Sequence, residues 1–288
     1  MKLKNKKILI FGKGSYIGTK FEEYLKDNKE YEIEVIDSMG EEWKNINFSK
    51  YDVIYHVAGI AHVSADPKME ELYYKVNRDL PIEVAKKAKK ENVKQFIFMS
   101  SIIIYGADGK ITENKVIDEH TEKEPIDFYG KSKLEADEAI QKLSDDKFGT
   151  VIIRTPMVYG PGCKGNFPKL KKIAKISPIF PDIDNERSMI YIDNLCEFLK
   201  QIIDKEEKGI FYPQNKEYIS TKDIVTTMAK CMNKKIFCIK IFNPLLKMLS
   251  KKINYINKIF GNKVYDKKIS GDFSYCKVDF EESIRRSI

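Results

Sequence analysis

Short apolar runs alternate with longer segments of helical period over the first half of the chain. The apolar runs lie at residues 6–11, 51–59 and 94–101, and residues 31–37 alternate apolar and polar side chains like a further strand. They are rich in β-branched and aromatic residues, which is typical of buried parallel strands. Segments with apolar residues at helical spacing lie at 15–28, 67–92 and 129–143. This alternation predicts an α/β fold with a doubly wound parallel sheet, because parallel strands need crossover connections.

The pattern loosens beyond about residue 160. Residues 149–160 begin as a strand, 187–204 favour a short strand followed by a helix, and 205–288 show no clear strand–helix repeat. We therefore predict a nucleotide-binding domain at 1–160, with 187–204 packed back on it. A smaller substrate-binding lobe is predicted at 161–288.

Residues 243–260 (NPLLKMLSKKINYINKIF) are apolar and basic at a near-helical period. Such a segment can lie on a membrane surface, with its apolar side chains in the lipid boundary and its lysines at the headgroups. The alternative is a helix whose apolar face packs on the protein while its lysines point into water. The sequence leaves both interpretations open.

Composition narrows the class of protein. The 288 residues carry a formal net charge of +8, but no basic tract has interleaved aromatics, so nucleic-acid binding is not expected. No apolar run is long enough for a membrane span, and the N-terminal run is too short for a signal peptide, which favours a cytoplasmic enzyme. The five cysteines form no C-x-x-C pair and the three histidines do not cluster with carboxylates. Reduced thiols and no metal site are therefore expected.

A glycine-rich loop, GKGSYIG, joins the first predicted strand to the first predicted helix. Its candidate phosphate-binding positions are Gly12, Gly14, Ser15, Tyr16, Ile17 and Gly18. In this context the glycines allow a tight turn and a close approach of the backbone to a pyrophosphate, which the helix N-terminus stabilises. The loop predicts a Rossmann-type dinucleotide site, with a plain turn as the alternative.

Asp37 stands at the end of the second predicted strand, nineteen residues after Gly18. A carboxylate there accepts hydrogen bonds from the adenosine ribose and repels a 2′-phosphate, which favours NAD over NADP. The alternative is an aspartate that only starts a turn.

Tyr129 and Lys133 stand four residues apart in FYGKSK, so on a helix they share one face. The same spacing occurs three more times, at Tyr16/Lys20, Tyr212/Lys216 and Tyr218/Lys222. Spacing alone therefore does not identify a catalytic pair, and the position in the chain has to decide.

Six motifs occur in a characteristic order. They are the glycine loop, HVAG (56–59), VN (76–77), SSIIIYG (100–106), YGKSK (129–133) and RTPMVYGPG (154–162). In this order and spacing the chain resembles the extended short-chain dehydrogenase/reductases. More narrowly, it resembles the NAD-dependent nucleotide-sugar epimerase/dehydratase family. The resemblance covers roughly residues 7–200, whereas 205–288 are only loosely similar.

The resemblance implies that Tyr129, Lys133 and Ser101 are catalytic, because only this tyrosine–lysine pair follows the serine-bearing strand. Ser101 would hydrogen-bond the reacting oxygen, with Ser100 as its rival for that role. Tyr129 would accept a proton from a sugar hydroxyl. A free phenol has a pKa of ~10, and we expect Lys133 and the positive nicotinamide ring to lower it.

The resemblance also implies contacts for cofactor and substrate. The implied NAD contacts outside the glycine loop are Asp37, Ala58, Gly59, Asn77, Tyr129, Lys133 and Pro156. The implied nucleotide-sugar contacts are Ser101, Asn166, Phe167 and Arg187, of which the arginine would hold the diphosphate. An ion pair that only joins parts of the protein is the alternative for the arginine.

The chain departs from the family pattern at several positions. Ser15 replaces the middle glycine of the loop, and Ile102 and Ile103 replace the acidic pair of the dehydratases, so a dehydratase is not expected. Met157 replaces a common asparagine, which favours a 4-ketosugar reductase. The stretch before His56 is short for the family, which predicts that one connecting helix is missing.

These features favour a UDP-hexose 4-epimerase, of the UDP-glucose or UDP-N-acetylglucosamine type, in surface-polysaccharide biosynthesis. The alternative is an NAD(P)H-dependent reductase of UDP-4-keto-6-deoxy-sugars, and a non-catalytic dinucleotide sensor is a third interpretation. By analogy with the family, residues 67–92 and 129–147 are expected to form a homodimer interface.

Overall fold

The computed structural model describes residues 5–61 and 66–288. The strands of these residues are β1 (Lys6–Phe11), β2 (Tyr31–Ile36), β3 (Val53–His56), β4 (Gln95–Ser101), β5 (Val116–Ile117), β6 (Gly149–Thr155), β7 (Met157–Tyr159), β8 (Ile179–Pro181), β9 (Met189–Tyr191), β10 (Gly209–Phe211), β11 (Phe237–Ile239) and β12 (Val264–Tyr265). The α-helices are α1 (Tyr16–Leu25), α2 (Glu70–Tyr74), α3 (Leu80–Lys90), α4 (Phe128–Gln141), α5 (Phe167–Ile176), α6 (Ile192–Asp204), α7 (Thr221–Cys231), α8 (Asn243–Ser250), α9 (Asn254–Phe260) and α10 (Phe280–Ser287).

The chain divides into two compact units that alternate along the sequence. The first comprises Met1–Gly106, Lys123–Thr155 and Cys196–Pro213, and the second comprises Ala107–Glu122, Pro156–Leu195 and Gln214–Ile288. The sequence pattern suggested one main boundary near residue 160, whereas each unit is assembled from three separate stretches of chain.

The first unit is built on a six-stranded sheet in the order β10-β6-β4-β3-β1-β2, and all of its pairs are parallel. This is the predicted doubly wound α/β architecture. From β1 the chain moves outward to β2 and then returns to β3 on the other side of β1. The strand order therefore reverses between β1 and β3, and ligands of such sheets bind at the carboxyl ends of the strands at this point.

Helices cover both faces of this sheet. On one face, α3 and α4 bury Val84, Ala88 and Ile140 against strand residues such as Ile54 and Phe96. On the other face, Phe21 of α1 packs edge-on against Tyr55 of β3, with 5.6 Å between the ring centroids. Burial on both faces explains why the strands read as continuous apolar runs.

The connection from β2 to β3 contains two short 3₁₀ turns, Glu42–Asn45 and Phe48–Lys50, in place of an α-helix. The predicted loss of one connecting helix is therefore confirmed. Trp43 and Phe48 from these turns are almost fully buried, and they fill the space on the sheet that a helix would otherwise cover.

The structure gives the bounds of elements that the sequence only outlined. The strand predicted to begin residues 149–160 ends at Thr155, because Pro156 has no N–H group to continue the ladder, and residues 157–159 pair with β9 in a separate sheet. The helix expected at 67–92 contains a π-helical segment at Lys75–Asp79. The three-residue strand β10 adds to the edge of the main sheet and has no clear signal in the sequence.

The second unit contains three two-stranded parallel pairs, β7–β9, β8–β11 and β5–β12. A buried polar network supports it: the Asn215 side chain donates to the Tyr159 hydroxyl (3.0 Å), and Asn194 donates to Asn215 (3.1 Å). Helix α7 begins with a reciprocal capping box between Ser220 and Asp223. Within the described residues, none of the helices has the length and apolarity needed to cross a bilayer.

Candidate active site

The glycine loop lies at the carboxyl end of β1, where the strand order reverses. Gly12 has a φ of +138°, and a Cβ added there would lie 2.7 Å from the backbone nitrogen of Ala58. Only glycine fits such a close approach of the loop to the end of β3. The side chain of Ser15 caps α1 by accepting from the Gly18 N–H (3.2 Å).

The first turn of α1 presents its N–H groups without a competing charge, since it contains no acidic residue. Tyr16 and Ile17 open this turn, and Gly18 is buried beneath it. A Cβ at Gly18 would lie 2.9 Å from Val57 Cγ1, so glycine here lets the helix pack closely against the end of β3. This arrangement provides the positive end of a helix dipole at the strand crossover.

Asn77 fixes the backbone that follows β3. This fully buried side chain accepts from the N–H of Ile60 (2.9 Å) and donates to the carbonyl of Ile60 (3.0 Å). It projects from the π-helical segment, a distortion that often occurs at functional sites. Asn77 therefore anchors the backbone next to Ala58 and Gly59.

Asp37 lies directly after β2 and is exposed, and its Oδ1 accepts from the N–H of Met39 (2.8 Å). This is the turn that the alternative interpretation predicted. A carboxylate has about four acceptor positions, so this one bond does not prevent contacts with ribose hydroxyls.

Tyr129 lies in the first turn of α4, and the side chain of Ser101 is close enough to act on its hydroxyl. Burial raises the pKa of Tyr129 to about 12, while Ser101 acts in the opposite direction. The neighbouring Ser100 is buried and donates to Asp137 (2.7 Å) instead. Of the two candidate serines, the structure therefore brings Ser101 to the phenol.

Lys133 is almost fully buried one turn further along α4. Its Nζ donates to the carbonyl of Met99 (2.9 Å) and lies 4.7 Å from the ring centroid of Phe98. Burial lowers the pKa of Lys133 to about 8. The sequence predicts that Lys133 and the nicotinamide ring together lower the pKa of Tyr129. In the chain alone, burial of the phenol dominates, and the ammonium of Lys133 bonds to Met99.

Gly59 connects the lysine with the end of β3. A Cβ added at Gly59 would lie 3.1 Å from Asn77 Oδ1 and 3.2 Å from Lys133 Nζ. The ammonium therefore reaches the backbone of the loop after β3. The lysine from α4 and the glycine loop from β1 both approach this loop at the strand crossover.

A buried ion pair, which the sequence analysis missed, lies beneath the tyrosine and lysine. Asp137 is fully buried one turn after Lys133, and its carboxylate accepts from Arg154 Nη2 (2.9 Å) and Nε (3.0 Å). The guanidinium also donates to the hydroxyls of Tyr105 (2.7 Å) and Tyr212 (3.0 Å). An aspartate four residues after the lysine, on the same helical face, was the available signal.

The remaining predicted residues lie in the second unit. Pro156 is buried between β6 and β7. Asn166 precedes α5 and is half-buried, and Phe167 begins that helix and stacks on Tyr159 with 5.1 Å between ring centroids.

Arg187 is held by two partners within the second unit. Its Nη2 donates to Asp108 (2.6 Å), and its Nη1 donates to the carbonyl of Lys258 (2.6 Å). This is the ion pair that the alternative interpretation predicted. Lys263 is buried close by, and the cations Arg187 and Lys115 add to the effect of burial in lowering its pKa to about 8. Three cations around one carboxylate leave this part of the unit positively charged.

The residues of the first unit fit a dinucleotide. The loop has glycine where a Cβ would collide with Ala58, the helix N-terminus carries no acidic side chain, and a buried lysine reaches the backbone at Gly59. These features leave backbone and positive charge available for a pyrophosphate and a ribose.

The chain is similar to known proteins over most of its length. Residues 8–212 match the family model described as the NAD dependent epimerase/dehydratase family. A UDP-glucose 4-epimerase of Vibrio cholerae is 32% identical over 273 residues, which cover 83% of this chain and 82% of the relative. An N-acetyl-alpha-D-glucosaminyl-diphospho-ditrans,octacis-undecaprenol 4-epimerase of Escherichia coli O157:H7 is 29% identical over 69% of this chain and 60% of the relative.

Solved structures share the fold. The UDP-glucuronic acid 4-epimerase of Bacillus cereus in complex with NAD aligns with a TM-score of 0.75 and 20% identity, covering 98% of this chain and 94% of that one. The UDP-N-acetylglucosamine 4-epimerase of Methanobrevibacter ruminantium M1 aligns with a TM-score of 0.73 and 17% identity, covering 99% and 97% of the two chains. At these identities the likeness concerns the fold.

Proposed function

The chain belongs to the NAD-dependent epimerase/dehydratase family, and we propose that it is a UDP-hexose 4-epimerase in surface-polysaccharide biosynthesis. The substrate we propose is of the UDP-glucose or UDP-N-acetylglucosamine type. The observation that carries the proposal is the Tyr129 hydroxyl next to Ser101, one helical turn from a buried lysine that reaches the loop after β3. The similarity to the Vibrio cholerae enzyme over most of both chains supports the substrate class.

The proposed reaction assigns a proton to Tyr129. When bound, NAD⁺ supplies the hydride acceptor and a positive charge near the phenol. Burial disfavours the phenolate of Tyr129, so this tyrosine needs that charge to act as a base near neutral pH. Tyr129 then takes the proton of the sugar 4-hydroxyl and later returns it, while Ser101 hydrogen-bonds the same oxygen.

Lys133 has a separate role in this proposal. Its ammonium already reaches the loop at Gly59, so we assign it to the ribose next to the nicotinamide. The glycine loop holds the pyrophosphate, Asp37 accepts from the adenosine ribose, and Asn77 keeps the loop after β3 in place.

The residues after Ser101 favour epimerisation over dehydration. Ile102 and Ile103 follow it in a 3₁₀ turn, and neither side chain can donate or accept a proton. Loss of water from the sugar requires acid and base groups next to the leaving hydroxyl. The chain offers none at these two positions.

In the second unit, we propose that Arg187 binds the diphosphate, Asn166 and Phe167 line the uridine, and Pro156 closes over the nicotinamide. Arg187 already bonds to Asp108, so binding requires the guanidinium to share or exchange this partner. The neighbouring cation Lys263 supports an anion at this place.

The test combines cofactor identification with a panel of substrates. The purified protein is denatured, its released dinucleotide is identified by mass, and the native protein is incubated with UDP-glucose, UDP-N-acetylglucosamine and undecaprenyl-diphospho-N-acetylglucosamine. Nuclear magnetic resonance then follows the configuration at C4. We expect retained NAD and the 4-epimer of a UDP-sugar.

Tyr129→Phe provides the decisive variant, with Tyr24→Phe as its control. Tyr24 lies on α1 with its hydroxyl on Glu197, so this control makes the same chemical change on the surface. Tyr129→Phe should lose at least about 10²-fold in kcat and keep NAD, since acid–base catalysis contributes roughly 10²–10⁴-fold. Equal activity of both variants would remove the proposed role. Consumption of added NADH with a 4-ketosugar, without epimer formation, would instead indicate the reductase.

We also propose a homodimer that pairs α2, α3 and α4 with the same helices of a second copy. These helices contact one another within the chain, and Arg78 bonds to Glu135 across them (2.9 Å). Light scattering at micromolar concentration should give twice the 33.5 kDa chain mass. A monomer at that concentration would contradict this assembly.

A further inference from the structure

Two segments of the second unit, 164–181 and 234–260, form what we call the lysine-rich surface. They contain nine of the fifteen large apolar side chains that are exposed in the described residues. These nine side chains are Ile176, Ile179, Phe237, Ile241, Phe242, Leu245, Met248, Ile253 and Tyr255. Because the two segments make up less than a sixth of the chain, this is a strong concentration of exposed apolar groups.

The two segments are joined to each other in the fold. Strands β8 and β11 pair in parallel, which places Ile179 opposite Phe237. Lys234 Nζ donates to the carbonyl of Lys175 at the end of α5. Lys169 Nζ lies 5.8 Å from the ring centroid of Tyr255. The exposed apolar groups are therefore part of one continuous region of the unit.

Both segments carry charge of one sign, and the acidic residues that border them, Asp182 and Asp184, form ion pairs with Lys222. The two segments contain twelve lysines and no aspartate or glutamate. All of these lysines are exposed except Lys171, which is half-buried. No ion pair of the described residues involves any of the twelve, whereas lysines elsewhere, such as Lys123 and Lys222, do pair with carboxylates.

Helices α8 and α9 pack only one side on the protein. Phe260 is buried against Phe180, and Leu246 and Leu249 are half-buried, while Leu245 and Met248 are exposed by 50% and 61%. The alternative that the sequence left open, a helix packed by its apolar face, therefore accounts for part of the apolar side chains and leaves the exposed ones without protein contact of that kind.

We propose that the lysine-rich surface binds an anionic membrane. Exposed Ile, Leu, Met and Phe side chains enter the headgroup boundary, and the surrounding lysines contact acidic headgroups, as in interfacial amphipathic helices. A second copy is a poor occupant, because a symmetric pairing would bring two sets of twelve unpaired lysines together. The proposal does not depend on the reaction that the first unit catalyses.

Vesicle co-sedimentation of the full chain tests this proposal. Vesicles of phosphatidylcholine alone are compared with vesicles containing about a third phosphatidylglycerol, at low and at physiological salt. Binding should be confined to the anionic vesicles and weaken as salt rises, since screening shortens the range of the lysine charges. Failure to sediment with anionic vesicles at low salt would overturn the proposal.

Two double variants distinguish the charge of the lysine-rich surface from the net charge of the chain. Lys251→Glu with Lys252→Glu should weaken binding at least tenfold, while Lys26→Glu with Lys29→Glu, at the end of α1, makes the same charge change and should stay within twofold. An equal loss in both would indicate only a net-charge effect and contradict the assignment of the surface.

Phe237→Ser with Ile241→Ser keeps every lysine and removes two exposed apolar groups. These side chains support no core, so the thermal unfolding midpoint should be unchanged. We expect binding to anionic vesicles to be at least fivefold weaker than that of the wild type, at low and at physiological salt alike. Unchanged vesicle binding with loss of a dimer in light scattering would show that the apolar groups contact a second copy, and would refute the membrane assignment.

Discussion

Replacing Asp137 by alanine should destabilise the protein far more than an average substitution. Asp137 is fully buried in α4, and its partner Arg154 is only 4% exposed. The carboxylate accepts two bonds from this guanidinium, one from Ser100 and one from Gln141. Without it, a buried positive charge keeps only two tyrosine hydroxyls as side-chain partners.

The magnitude follows from the burial of both charges. Removing one partner of a buried ion pair costs about 3–5 kcal/mol, because the other charge stays desolvated and uncompensated. With a urea m-value of about 3 kcal/mol/M, the unfolding midpoint should fall by roughly 1–1.7 M. Asp137→Asn keeps the volume and some hydrogen bonds, so its midpoint should lie between alanine and wild type.

Glu138→Ala is the matched control, one residue along the same helix. Glu138 also forms an ion pair, with Lys123 at 2.6 Å, but both side chains are more than 30% exposed. Exposed pairs contribute about 0–1 kcal/mol. Urea unfolding followed by circular dichroism measures all three variants.

If Asp137→Ala lost no more stability than Glu138→Ala, the buried ion pair would not have the stabilising role assigned to it.

Asp137 also acts on Lys133, because its charge opposes the effect of burial on the pKa of that lysine. In Asp137→Asn, the alkaline limb of the pH profile of kcat should therefore move to lower pH. A profile that does not move would limit Asp137 to a structural role.

Three further variants test other parts of the account. Gly59→Ala places a methyl group within 3.2 Å of two buried side chains, so it should lower the NAD content of the purified protein at least fivefold. The control Gly149→Ala meets no atom closer than 3.5 Å and should keep the NAD content of the wild type. His56 is fully buried, and burial lowers its pKa to about 3. Between about pH 6.5 and pH 3 the unfolded state therefore binds a proton at His56 that the folded state excludes. As a result, the free energy of unfolding falls as the pH falls through this window. In urea unfolding from pH 7 to 4, His56→Leu should flatten this loss, while His120→Leu, at an exposed position, should leave it unchanged. Arg187→Lys should raise the KM for a UDP-sugar about tenfold with little change in kcat, because an ammonium lacks the bidentate geometry; a change confined to kcat would contradict diphosphate binding.

The features that the sequence predicted are those set by local chemistry. Gly12 has a backbone conformation and a close contact that only glycine can adopt, so a glycine at this position indicates the loop. The apolar runs of β1 and β4 are buried on both faces, which leaves a continuous signal. Tyr129 and Lys133 became identifiable through their order relative to the strand that ends at Ser101.

The features that the sequence did not predict depend on contacts between distant residues. Arg154 meets Asp137 only because β6 runs beneath α4, and neither residue is unusual in its own segment. Strand β10 has three residues, too few for any period. The exposure of Leu245 likewise cannot be read from a helical period, which does not say which face meets protein.

The pKa of the Tyr129 phenol should fall to near neutral when the oxidised cofactor is bound, although burial alone raises it to about 12. An ultraviolet difference titration of wild type against Tyr129→Phe, with the bound dinucleotide fully oxidised and then fully reduced, measures this directly. The phenol of Tyr129 should titrate near neutral pH when the bound dinucleotide is oxidised and several pH units higher when it is reduced. A phenol that titrates above pH 10 in both forms would contradict it.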